Sequence, residues 1–265
     1  MDGGYEVVAI SMPPMSGHGE SGARDWYDEA CWSDDIIGVM QSTGLLDANR
    51  DAPPVLVGHS LGSYPVIRVA QRIGKQLGGI VCCDSGIPHP LYWLEGDAEG
   101  ERRKQMHQPA GPVRIHPMSR ECKLTLSPPQ RIRNQYIVDY ISSKSWTAAK
   151  REDGSDGWRW SFDPDRTAKS DFLGSVRLGS PENFKKLACR VGVVYGDDSA
   201  IVNPATQRLM AKDLGEHVPL VGVADAEHHN ILDQPLVFVA VLRSMIGEWK
   251  RGSTTLADGV TVLPP

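Results

Sequence analysis

Short apolar runs of three to seven residues alternate along this chain with longer stretches whose apolar positions recur every three or four residues. Tyr5–Ser11 (YEVVAIS) is β-branched and reads as a strand. Trp32–Leu46 has helical spacing, with Ile36, Ile37, Met40 and Leu45-Leu46 near one face. DANRDAPP (47–54) reads as a turn, Val55–Val57 as a strand, and Ser63–Leu77 as a helix with Val66, Ile67, Ala70, Ile73 and Leu77 on one side. Gly79–Cys83 is a further strand. Regularity returns with a strand at Arg190–Tyr195, a helix at Pro204–Leu214, a strand at Val218–Val223 and a helix at Leu236–Trp249. Short apolar strands alternating with amphipathic helices predict an α/β fold, a mostly parallel sheet covered on both faces by helices.

Two segments break the rhythm. Residues 86–188 carry proline and tryptophan clusters and basic runs such as ERRKQ (101–105), with no strand pattern. A stretch this long predicts an inserted helical lid between two core halves, 1–85 and 189–251; a decorative insertion is the plainer alternative. The tail 252–265 is polar and then apolar, and is expected to dock late or loosely.

Composition narrows the class. The 265 residues are 40% hydrophobic and 23% charged, as in a globular domain, and the net charge of −5 with no basic stripe argues against a nucleic-acid partner. No apolar run is long enough to span a membrane, and the N-terminus lacks the pattern of a signal peptide. The five scattered cysteines read as reduced packing thiols, which implies a cytoplasmic location. No spacing suggests a metal, and no cofactor is implied.

The most informative stretch is VLVGHSLGSYPV (55–66), where a strand meets Gly58-His59-Ser60-Leu61-Gly62 and a helix follows. Glycines on either side allow a tight strand-to-helix turn that projects Ser60 from the carboxyl end of the sheet, and the Leu61 N–H at the helix start would face a developing oxyanion. The pentapeptide alone is common; the strand before it and the helix after it give it weight. A serine nucleophile needs a base. ADAEHHNILDQP (224–235) lies between the last strand and the last helix.

Here the chain resembles the α/β-hydrolase superfamily, whose order is serine, acid, histidine. His228, with Asp233 and Pro235 behind it, fits the family's late signature; His229 is shifted by one and fits worse. The resemblance implies His228 as general base, with helix capping as the alternative use. His59, beside the serine, reads as a packing or supporting residue. The family usually carries its acid in a pattern like G-x-x-D-x-hydrophobic-V. In GDDSAIV (196–202) that position is Ser199, which cannot stabilise an imidazolium as an anion. Asp84, one strand beyond the nucleophile in GGIVCCDSGIP (78–88), is the favoured acid, as in some branches of the superfamily. Asp198 and Asp197 are the alternatives, and a turn-forming aspartate is the plain use of Asp84. The segment GYEVVAISMPPMSGHGESG (4–22) looks like the family's fourth strand and its following loop. No His-Gly loop precedes it, so either the start lies upstream or one oxyanion donor is missing.

A serine at the elbow implies acyl transfer: hydrolysis of an ester or related acyl bond of a small hydrophobic substrate. Trp93, Trp146, Trp158, Trp160 and Phe162 would line the cleft or form the lid's own core. One rival is a C–C bond hydrolase, for which Arg114, Arg131 or Arg133 would have to face Ser60. The other is a non-catalytic or truncated protein on a hydrolase fold.

Overall fold

The computed structural model describes residues 4–12, 29–86, 115–116, 132–161 and 181–251. Its strands are β1 (Val55–His59), β2 (Gly79–Cys83), β3 (Trp146–Lys150), β4 (Asp156–Trp160), β5 (Val191–Gly196) and β6 (Leu220–Val223). Its helices are α1 (Glu29–Ser42), α2 (Ser63–Ile73), α3 (Gln135–Lys144), α4 (Pro204–Leu214), α5 (Asn230–Asp233) and α6 (Pro235–Arg251), with a single helical turn at Pro181–Phe184.

Strands β1, β2, β5 and β6 form one sheet in the order β1-β2-β5-β6, with every neighbouring pair parallel. All five residues of β2 are buried, because helices cover both faces. Successive side chains leave a strand on opposite faces, and the core divides accordingly. Ile80, Cys82 and Val193 join a layer with Ile36, Ile37 and Met40 of α1, Val66 and Ile67 of α2, and Met210 and Leu214 of α4. Val81, Cys83 and Val194 face the other way, onto Phe238 and Met245 of α6. Each fully buried aliphatic side chain contributes roughly 1.5–3 kcal/mol of transfer free energy. Local signals agree with this packing: Asn203 caps α4 by accepting from the Ala205 and Thr206 N–H groups, with Pro204 at its first position.

Two expectations are corrected. Tyr5–Ser11, expected as a strand, joins no ladder among the described residues. β-Branched residues suit a pleated surface, but a strand exists only where a neighbour supplies the hydrogen bonds. The segment is held instead by side chains: Lys250 lies 4.6 Å from the centroid of the Tyr5 ring, Glu6 pairs with Arg50 at 2.6 Å, and Ile10 and Met12 touch the core. A cavity of about 2200 Å³ is lined both by this segment and by Val55, Leu56 and Val57 of β1.

The second correction concerns 86–188, read as free of strands. Its described part holds α3 and the antiparallel pair β3–β4, in register from Trp146 opposite Trp160 to Lys150 opposite Asp156. The turn between them includes Gly154 at φ +80°, a left-handed conformation that glycine adopts without strain. Backbone hydrogen bonds in both directions add His116 opposite Trp158. Trp93, Phe162 and most of the expected lid lie outside the described residues, as does the tail 252–265.

Candidate active site

The chain leaves β1 with His59 in an extended conformation and turns at once into a 3-10 turn, Ser60–Gly62, that leads into α2. Ser60 absorbs the change of direction at φ 52°, a left-handed conformation that costs a non-glycine residue about 1–2 kcal/mol. A Cβ on Gly58 would run into the backbone carbonyl of Gly62 and come within 2.9 Å of the Ser63 Cα, so only glycine fits there. Two buried serines hold the turn. The Ser63 hydroxyl donates to the Gly58 carbonyl at 2.8 Å, and the Ser85 hydroxyl lies 2.8 Å from the Ser60 carbonyl and 2.7 Å from Ser63 Oγ. Leu61, expected to supply an oxyanion N–H, is the residue directly after Ser60 in this turn.

His228 arrives from the loop after β6. Its Nε2 is 2.9 Å from Ser60 Oγ, and its Nδ1 is 2.9 Å from Asp84 Oδ1. Asp84 follows β2 at φ 47° and is fully buried; His228 is 1% exposed. An ionised carboxylate only accepts, so the partners assign the tautomer: His228 carries its proton on Nδ1 and leaves the Nε2 lone pair toward the serine hydroxyl. The carboxylate has further donors. Gly196 N–H reaches Oδ2 at 2.7 Å, and the Ser199 hydroxyl reaches Oδ1 at 2.6 Å. Four loops, at the carboxyl ends of β1, β2, β5 and β6, thus converge on one point, the usual site position in a parallel sheet.

The structure sets Asp84 against His228 and turns Asp198 elsewhere. Asp198 is half-exposed and pairs with Arg133 at 2.7 Å. Arg133 also holds Glu227 at 3.2 Å, and its backbone N–H donates to Asp233. Arg133 is therefore engaged by carboxylates beside the His228 loop; Arg114 and Arg131 lie outside the described residues. Asp197 donates its backbone N–H to Val223. Sequence reasoning missed two parts of the site, the Gly196 N–H and the Ser199 hydroxyl. No residue pattern announces either, because both depend on how the turn after β5 folds over Asp84.

His59 and His229 flank the site, with ring centroids 4.8 and 4.9 Å from that of His228. Burial, and next the nearby His228, push the His59 imidazole down to about 4. Burial likewise pushes His229 down to about 3, helped by His59 and His228. His59 is thus neutral near neutral pH, and its Nε2–H donates to the His228 carbonyl at 2.8 Å. Burial pushes the Cys82 thiol up to about 12 and Cys189 to about 11, so both stay protonated and weakly reactive. Among the described residues, no helix is long and apolar enough to cross a membrane.

Comparison with known proteins places this architecture. The family model described as "Alpha/beta hydrolase family" matches residues 1–241. A search of curated proteins by sequence returns no match. Solved structures of similar fold include an E-2-(acetamidomethylene)succinate hydrolase, at TM-score 0.63 and 19% identity over 87% of this chain and 78% of that one. An esterase from Mycobacterium tuberculosis aligns at TM-score 0.59 and 21% identity, over 87% of this chain and 72% of its own. A thioesterase domain from the curacin biosynthetic pathway aligns at TM-score 0.59 and 20% identity, covering 88% and 78%.

Proposed function

We propose that this chain, which belongs to the α/β hydrolase family, is a serine hydrolase that cleaves an ester or related acyl bond of a small hydrophobic substrate through Ser60, His228 and Asp84. The observation that carries this reading is the unbroken chain of two 2.9 Å contacts from Ser60 Oγ through the His228 ring to a buried carboxylate. Buried charges without work or partners are costly, and Asp84 has three donors arranged around it.

In the first half-reaction His228 Nε2 takes the hydroxyl proton as Ser60 Oγ attacks the substrate carbonyl carbon. Negative charge gathers on the carbonyl oxygen, where the Leu61 N–H is the first donor. The imidazolium formed on His228 is stabilised and oriented by the Asp84 carboxylate. The intermediate collapses, His228 returns the proton to the leaving group, and an acyl-Ser60 ester remains. Water, deprotonated by His228, attacks that ester and releases the acid. The low-pKa His59 stays neutral throughout and holds the His228 backbone by its carbonyl. An acyl-enzyme of this type needs no cofactor, and a small-molecule substrate is the partner. A cytoplasmic setting and a lid formed by 86–188 belong to the same proposal.

The test is covalent labelling by a fluorophosphonate together with hydrolysis of short-chain p-nitrophenyl esters. The native protein is expected to label, Ser60→Ala to label not at all, and His228→Ala and Asp84→Asn to label at least about a hundredfold more slowly. A folded native protein that neither labels nor hydrolyses any ester would overturn the reading. Unchanged labelling in Asp84→Asn together with slowing in Asp198→Asn would move the acid to the other loop.

A further inference from the structure

We propose that Ser199 is a positioning residue for the Asp84 carboxylate, and through it for His228; this rests on the reading of Ser60, His228 and Asp84 as the catalytic chain. Ser199 Oγ lies 2.6 Å from Asp84 Oδ1, the oxygen that also receives His228 Nδ1–H at 2.9 Å. Gly196 N–H takes Oδ2 at 2.7 Å. Three donors around one carboxylate define the rotation of its plane, and that plane decides whether a lone pair faces Nδ1.

What separates Ser199 from an ordinary buried serine is the use of the rest of its hydroxyl. Ser199 Oγ accepts from the Ile201 and Val202 N–H groups, both at 3.1 Å. A hydroxyl has two lone pairs and one proton. With both lone pairs taken by the backbone, the proton has the Asp84 carboxylate as its partner. The rotor is therefore locked, and the side chain is 4% exposed, so water does not compete for it. The turn after β5 acts as a rigid mount: its backbone fixes the hydroxyl, and the hydroxyl fixes the carboxylate. Such mounting matters here because Asp84 sits in a left-handed backbone conformation at φ 47°, which by itself does nothing to restrain the carboxylate's rotation.

The experiment measures fluorophosphonate labelling rates of the full chain as native protein, Ser199→Ala, Ser199→Thr, Asp84→Asn and the Ser199→Ala/Asp84→Asn double variant, with thermal melts of each. Ser199→Ala is expected to slow labelling roughly 10-fold or more, as loss of a partner that orients a site group does. Ser199→Thr, which retains the hydroxyl, is expected to restore most of the rate. In the Asp84→Asn background, adding Ser199→Ala is expected to change little, because the group it orients is already altered. A turn-stabilising serine would predict the opposite: equal slowing in both backgrounds, tracking the melting temperature. Equal slowing, absence of slowing in Ser199→Ala, or failure of a folded Ser199→Thr to recover the rate overturns the inference. If Ser199→Ala does not fold, Ser199→Cys replaces it, keeping a weaker donor; a native-like rate in that variant overturns the inference and a slowed rate supports it. If Ser199→Thr does not fold, the effect of Ser199→Ala in the native and Asp84→Asn backgrounds decides alone. Labelling that depends on Ser60 and Asp84 but ignores Ser199 refutes this inference alone. Absence of labelling in native protein removes the proposed function and this inference together.

Discussion

At the scale of single residues, the site holds Ser60 and Asp84 in left-handed backbone conformations and sets neutral imidazoles, His59 and His229, beside them. Ser60 at φ 52° is held there by the Gly58–Gly62 contact and the Ser63 and Ser85 hydroxyls. Ser60→Gly relieves the left-handed penalty at no cost in packing. That variant is expected to lose labelling entirely and to melt at or above the native temperature by differential scanning calorimetry. His59 makes a pH prediction. Its folded value is about 4 against 6.5 for the free side chain, so between those values the unfolded chain binds the extra proton. Stability therefore rises with pH across that window and is lost as pH falls through it. In His59→Gln, which keeps an amide donor for the His228 carbonyl, the fall in melting temperature from pH 6.5 to about 4 is expected to be shallower than in native protein. The candidates Ser60 and Asp84 were legible because each falls directly after a strand run in the sequence, and His228 because its loop, with Asp233 and Pro235 behind it, resembles the family's late signature. Ser199 was legible only as a missing carboxylate: its positive role depends on two backbone N–H groups that its own turn places.

At the scale of elements, β2 and α2 were readable because burial on both faces leaves a continuous apolar run, and burial on one side leaves a helical stripe. Ile67 stands at the centre of that stripe and is fully buried. Ile67→Ala is expected to cost about 2–5 kcal/mol in urea unfolding, with the slope on denaturant unchanged. Tyr5–Ser11 failed as a strand prediction for a reason no local pattern contains: its β-branched side chains were correct, but the pairing partner is a property of the sheet. The β3–β4 pair failed in the other direction. Its strands are short, and WTAAK carries two alanines, so alternation is weak until Gly154 closes the hairpin.

At the scale of the whole molecule, the site joins residues 168 positions apart in the chain, Ser60 and His228, across four parallel strands. Their meeting follows from the fold class, which the strand-helix alternation predicted, rather than from any contact visible in the sequence. Among the described residues, β1 stands at one end of the sheet, with Val57 45% exposed and the large cavity alongside. Peptide groups along that rim are a template on which a second molecule can add its own rim. Samples are therefore expected to turn cloudy on storage, sooner the more concentrated they are, as judged by light scattering. A charge on the rim repels such stacking, so Val57→Lys is expected to lengthen shelf life while leaving the labelling rate of fresh protein unchanged; clouding at the native pace would mean that the rim is covered in solution.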